Sequence, residues 1–324
     1  MKFFVGLLLC AAVIGAVFLT HTEEAPPSGN QLQVAAERTY WVHAIERAGS
    51  KDAYALFVSS NTVRTPNVQH SASHLMGEAL YTALGIEGIG VCDDAFSFGC
   101  YHGFFSRVIS EYGVESVATL DTECIALGAA ERGPCQHGIG HGVLQYFGYD
   151  RLNEALDACT LTDRIDQTSG CPSGVFMEFN VPLSENERGE SVVLPRPFDI
   201  DNPYAPCDTV AESFVASCYY ELPQWWAQIF ENDYEKLSSL CAGLSDQKFS
   251  ELCFLKIGNL VVSNSTTDTS EIEMVCTSMA TQAGTARCLF GAAETLSWDA
   301  KTAEEAHDVC GMLITAYPEE TCEF

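Results

Sequence analysis

The 324-residue chain is expected to be all-α, an αα-hairpin repeat solenoid with about one disulfide per repeat. Two observations predict this. Of 15 cysteines, all but Cys10 fall into neighbouring pairs whose first members recur at intervals of 32, 35, 48, 34, 35 and 34 residues. A period near 34 is the mark of stacked repeats. The stretches between pairs also carry apolar residues at i, i+3 and i+4, as Val117, Leu120 and Cys124 or Leu152, Leu156 and Cys159 do, which is helical spacing.

The elements follow in chain order. Lys2 precedes an apolar run from Phe3 to Leu19, so residues 1–22 read as a signal peptide or an N-terminal membrane anchor. Either form exports the body of the chain, as a secreted, periplasmic or membrane-anchored protein whose only membrane contact is that segment. Residues 23–40 read as a linker. Residues 41–179 form the N-terminal helical repeats. Between 180 and 206 lie Pro182, Pro195, Pro197, Pro203 and Pro206, a density that forbids a helix and marks a Pro-rich insertion loop. Residues 207–324 form the C-terminal helical repeats. The aromatic run from Tyr219 to Trp226 opens them, as repeat core or as the wall of a groove.

The expected disulfides join Cys92 with Cys100, Cys124 with Cys135, Cys159 with Cys171, and Cys207 with Cys218. They continue with Cys241 and Cys253, Cys276 and Cys288, and Cys310 and Cys322. One rule then serves every repeat, with one cysteine ending a helix and its partner opening the next. Free or metal-bound thiolates are the alternative, and they require a reducing compartment. No C-x-x-C occurs, so zinc ribbons and thioredoxin-type sites lack their signature.

The interval from Cys92 to Cys100, with its Gly99-Cys100 step, and the helix opening at Cys253 with Gly258 resemble the cysteine-rich Sel1-like, TPR-like αα-repeat proteins. The resemblance spans about residues 92–322. It implies an exported αα-solenoid with one disulfide per repeat, and it places no catalytic residue. The other cysteine intervals are longer than that from Cys92 to Cys100 by three or four residues.

Composition narrows the function. With 16 Lys+Arg against 44 Asp+Glu, the net charge of -28 excludes a nucleic-acid partner, which needs clustered cations. Hydrophobic residues at 47% supply a core. No H-E-x-x-H, G-x-S-x-G or phosphate-binding loop is present.

Histidine placement is the sharpest signal. Five of the 8 histidines lie between residues 70 and 141. His102 and His137 each stand two residues after a cysteine. His70 and His74 line up with His137 and His141 as H-x-x-x-H pairs, with Val68 in place of the cysteine. Residues i and i+4 share a helix face, so each pair can chelate an ion, and neighbouring helices would bring the pairs together around His102. Glu78 extends the first face as a sixth candidate ligand.

The expected cofactor is a transition metal: zinc, copper or iron. Bound there, it would support metal-dependent oxidoreductase or hydrolase chemistry, with Glu78 or Glu111 as candidate general base. The alternative is a non-catalytic scaffold whose concave groove takes a protein, peptide or small-molecule ligand.

Overall fold

The computed structural model describes residues 31–64, 66–163, 166–182 and 196–322. The segment expected as signal or anchor lies outside these residues. Among the described residues every regular element is helical, and no helix is long and apolar enough to cross a membrane.

The helices are α1 (Gln31–Ala48), α2 (Ser50–Asn61), α3 (Pro66–Leu84), α4 (Gly99–Tyr112), α5 (Val117–Leu127), α6 (Ala129–Phe147) and α7 (Leu152–Ala158). They continue as α8 (Cys171–Asn180), α9 (Val215–Ile229), α10 (Tyr234–Ala242), α11 (Gln247–Asn264), α12 (Thr269–Thr277), α13 (Gln282–Ser297) and α14 (Ala303–Ala316). The linker expected over 23–40 is corrected in its second part, since α1 begins at Gln31. Packing decides this. Glu37 is buried against Arg64, at 3.7 Å, and Trp41 lies in the core against Phe57.

Seven helices, α3, α4, α6, α8, α9, α11 and α13, stand in a row, each packed on the next. The shorter α5, α7, α10 and α12 flank them. The row curls back at its far end, where α11 touches α3 and Lys301 Nζ donates to the Thr62 carbonyl at 3.3 Å. Side-chain caps start two of the flanking helices, α10 and α12. Asp233 accepts from the Lys236 amide and Asp268 from the Ser270 and Glu271 amides, satisfying donors the first turn leaves unpaired. At the other end, Gly113 and Gly148 take φ of +74° and +90° and close α4 and α6, a conformation that costs glycine least.

All seven expected disulfides are present, with Cα–Cα distances of 5.4 to 6.2 Å. Cys92 is bonded to Cys100, Cys124 to Cys135, Cys159 to Cys171 and Cys207 to Cys218. Cys241 is bonded to Cys253, Cys276 to Cys288 and Cys310 to Cys322. Most tie the end of a flanking helix to the start of a row helix, as Cys124 in α5 is tied to Cys135 in α6. Two depart from the expected rule of one helix end and one helix start. Cys218 lies inside α9 but its partner Cys207 stands in the loop before it. Cys322 lies beyond α14, and its bond to Cys310 folds the segment after Tyr317 back on that helix. Seven cystines fit an oxidising, extracellular setting.

Within the Pro-rich insertion, residues 183–195 lie outside the described set. Residues 196–206 fold back on α9. The Arg196 guanidinium stacks 3.7 Å from the Trp225 ring, and the Trp225 and Trp226 indoles donate to the Arg196 and Pro203 carbonyls. Tyr220, Trp225 and Trp226 are all buried, so the aromatic run is core rather than a groove wall.

Candidate metal centre

Glycines set how the row helices meet. A Cβ on Gly103 of α4 would lie 1.9 Å from the His74 carbonyl oxygen of α3, and one on Gly77 would lie 1.9 Å from the Cys100 carbonyl oxygen. The same reciprocal contact joins α6 to α8, through Gly140 against Cys171 and Gly174 against His137. It joins α11 to α13 through Gly258 against Cys288 and Gly291 against Leu255. At each interface, the third residue after one cysteine meets the second residue after the preceding one.

This register corrects the expected alignment by one helical turn. His74, not His70, is the counterpart of His102 and His137; Ala72 stands in the cysteine's place rather than Val68; and Glu78 corresponds to Ser106 and His141. The H-x-x-x-H spacing is the same in either register, whereas packing is fixed by where a glycine admits the neighbouring backbone. His70 lies one turn before the repeated position.

The close approach puts five imidazoles in one continuous group. Ring centroids are 4.6 Å apart for His70–His74, 5.0 Å for His70–His102, 5.3 Å for His102–His141 and 5.0 Å for His137–His141. One nitrogen from each of His70, His74 and His102 lies within 4.8 Å of the other two. Of the six expected ligands, these three share a common point. His137 and His141 continue the row of rings, and Glu78 turns to Arg38, with Oε2 3.4 Å from Nε. Glu111 accepts from the Tyr81 hydroxyl at 2.6 Å and is exposed. It is nine residues along α4 from His102, about 13 Å, too far for the expected role as base.

Hydrogen-bond partners assign the protons. His70 Nδ1 lies 2.9 Å from the Phe96 carbonyl, which can only accept, so Nδ1 carries hydrogen and Nε2 presents its lone pair. That Nε2 lies 3.1 Å from His74 Nε2. The separation nearly matches the edge of a tetrahedral site with metal–nitrogen bonds of about 2.0–2.1 Å, which is about 3.3 Å. His102 Nε2 points at the Pro134 carbonyl at 3.3 Å, leaving Nδ1 as the lone-pair nitrogen, and Nδ1 is buried without a hydrogen-bond partner. Burial, reinforced by neighbouring imidazoles, lowers the His70 pKa to about 3 and holds His102 and His137 well below the usual histidine range. These rings are therefore neutral at pH 7, the form that binds metal.

Several supporting residues left no direct trace in the sequence. Phe96, Ser97 and Phe98 take φ of 54°, 56° and 62°, a left-handed run costing roughly 1–2 kcal/mol per residue, and it carries the carbonyl that holds His70. Its one sequence hint is the interval from Cys92 to Cys100, the shortest of the seven. Glu178, fully buried in α8, accepts from His141 Nδ1 at 2.9 Å and from the Tyr149 hydroxyl. Its hint is a lone carboxylate between Phe176 and Phe179. Farther along the interior, Lys256 Nζ lies 2.7 Å from Glu221 Oε2, and Ser173 donates to the same carboxylate.

Compared with protein-family models, curated proteins and solved structures, the chain matches none.

Proposed function

We propose that this is an exported, disulfide-stapled helical-repeat solenoid whose N-terminal half holds one transition-metal ion, zinc, copper or iron, on His70, His74 and His102. The observation that carries the reading is that one nitrogen from each of three imidazoles lies within 4.8 Å of the other two, while His70 Nδ1 and His102 Nε2 each face a backbone carbonyl. Such outer partners fix tautomer and ring direction at metal sites. The fourteen cysteines among the described residues are engaged in disulfides, so the donors are imidazole rather than thiolate, a set suited to those metals. Three protein ligands leave a tetrahedral ion one open position, where water activation or oxygen chemistry takes place. Catalysis by a metal-dependent hydrolase or oxidoreductase is the finer form of the proposal.

Elemental analysis of the untagged protein, purified without chelators, tests it. One equivalent of metal is expected, lost in His70→Ala and in His102→Ala with the helical circular dichroism retained. Metal-free wild-type protein that also fails to take up added zinc, copper or iron would leave the protein-binding scaffold as the reading.

A further inference from the structure

We propose a second metal subsite, selective for copper(I), formed by His137 and His141 of α6 with the thioether of Met177 from α8. His137 Nε2 lies 3.1 Å from Met177 Sδ. A thioether is a weak hydrogen-bond acceptor, so the ring nitrogen gains little from that contact alone, whereas nitrogen and sulfur side by side are two donors to one soft cation. The plan repeats that of the first set. There, an i, i+4 histidine pair on α3 is completed by one side chain from the next row helix, His102. Here, an i, i+4 pair on α6 is completed by Met177.

Two further observations favour this metal and this place. Glu178 takes the Nδ1 proton of His141, which leaves Nε2 as its donor nitrogen, and the Tyr149 hydroxyl fixes the same carboxylate. His137 and Met177 are also partly exposed while His102 and His141 are buried, so an incoming ion meets the thioether first. Where cysteines are locked in disulfides, methionine is the soft ligand that remains. The two sets share no ligand: His102, with its ring 5.0 Å from His70 and 5.5 Å from His137, belongs to the first, and His74 and His141 meet across the boundary at 5.9 Å.

The test uses the untagged full chain with disulfides intact. Copper(I) is supplied anaerobically from a chelator-buffered stock with ascorbate rather than a thiol. In the His70→Ala protein, which keeps only the second set, copper X-ray absorption should show a sulfur scatterer. Adding Met177→Leu, a substitution close in volume, should remove that scatterer and weaken competition for copper(I) at least tenfold. Met177→Leu alone should leave zinc uptake by the first set unchanged, so failure of either site is read separately. A copper(I) form of the His70→Ala protein with nitrogen scatterers only would overturn the proposal, as would equal competition with and without Met177.

Discussion

Gly103→Ala probes the contact on which the centre is built. Its Cβ would fall 1.9 Å from the His74 carbonyl oxygen, 2.5 Å from the carbonyl carbon and 2.7 Å from Cα, all backbone atoms that cannot rotate away. Because real Cβ contacts stay above 3.0 Å, α3 and α4 must part by at least about 1.1 Å. Overpacking of this kind costs about 1–3 kcal/mol. Alanine returns about 1 kcal/mol of helix propensity. The cost should fall near the top of its range because both clashing partners are backbone, giving a net loss of about 2 kcal/mol.

The same displacement separates His74 from His102 by far more than the roughly 0.2 Å that metal–ligand distances tolerate, so metal affinity should drop at least tenfold. Gly311→Ala is the matched control. It lies in α14 with nothing within 4 Å of its Cβ, and it should gain about 0.5–1 kcal/mol. Urea unfolding with disulfides intact reads both. If Gly103→Ala is as stable as Gly311→Ala and keeps its metal, the close-packed register is wrong.

Three other outcomes are expected. The chelator-treated protein should lose stability as pH falls below about 6.5. Its folded-state His70, His102 and His137 resist protonation down to about 3 for His70, while the unfolded chain takes up protons near the ordinary histidine value. The slope is at most about 1.4 kcal/mol per pH unit for each histidine, offset in part by Glu37 and Glu294, whose burial raises their pKa; unfolding curves with no slope between pH 6.5 and 5 would contradict this. Lys256→Met should cost about 3–5 kcal/mol by stranding the buried Glu221 carboxylate, and Lys256→Met with Glu221→Leu should recover most of it, as thermal unfolding would show. Replacing Cys124 and Cys135 together by alanine should cost about 2–3 kcal/mol, the chain-entropy value for a short loop, without changing the helical spectrum.

The cystine framework was legible because a period near 34 leaves one pairing rule that serves every repeat. The grouping of histidines was legible for a similar reason: helical spacing stacks i and i+4, and short hairpins bring successive row helices side by side. The register was not. A four-residue spacing maps onto itself when slid by one turn, and only the contacts of Gly77 and Gly103 with facing carbonyls break the tie. The left-handed turn at Phe96–Phe98 contains no glycine to announce it. The ion pair of Glu221 with Lys256 joins residues 35 positions apart, each of which reads as an ordinary surface charge.

The row fills one packing frame in two ways. The third residue after the cysteine is Gly103, Gly138 and Gly174 in α4, α6 and α8 and again Gly291 in α13, but Glu221 and Lys256 in α9 and α11. Glycine there clears the space before the preceding helix's second-position residue, which for Gly103, Gly138 and Gly174 is His74, His102 and His137. Glutamate and lysine instead fill the space and neutralise each other, so that stretch is complete without a ligand. The imidazoles are not self-sufficient in this way. His70 Nε2 and His74 Nε2 have one proton to share, and His102 Nδ1 finds no hydrogen-bond partner. Lone pairs crowded together in a dry site repel unless a cation lies among them. The buried charge pair and the buried imidazoles therefore differ in one respect that bears on the proposed function: the first is neutralised from within the chain, and the second is compatible with an ion from outside.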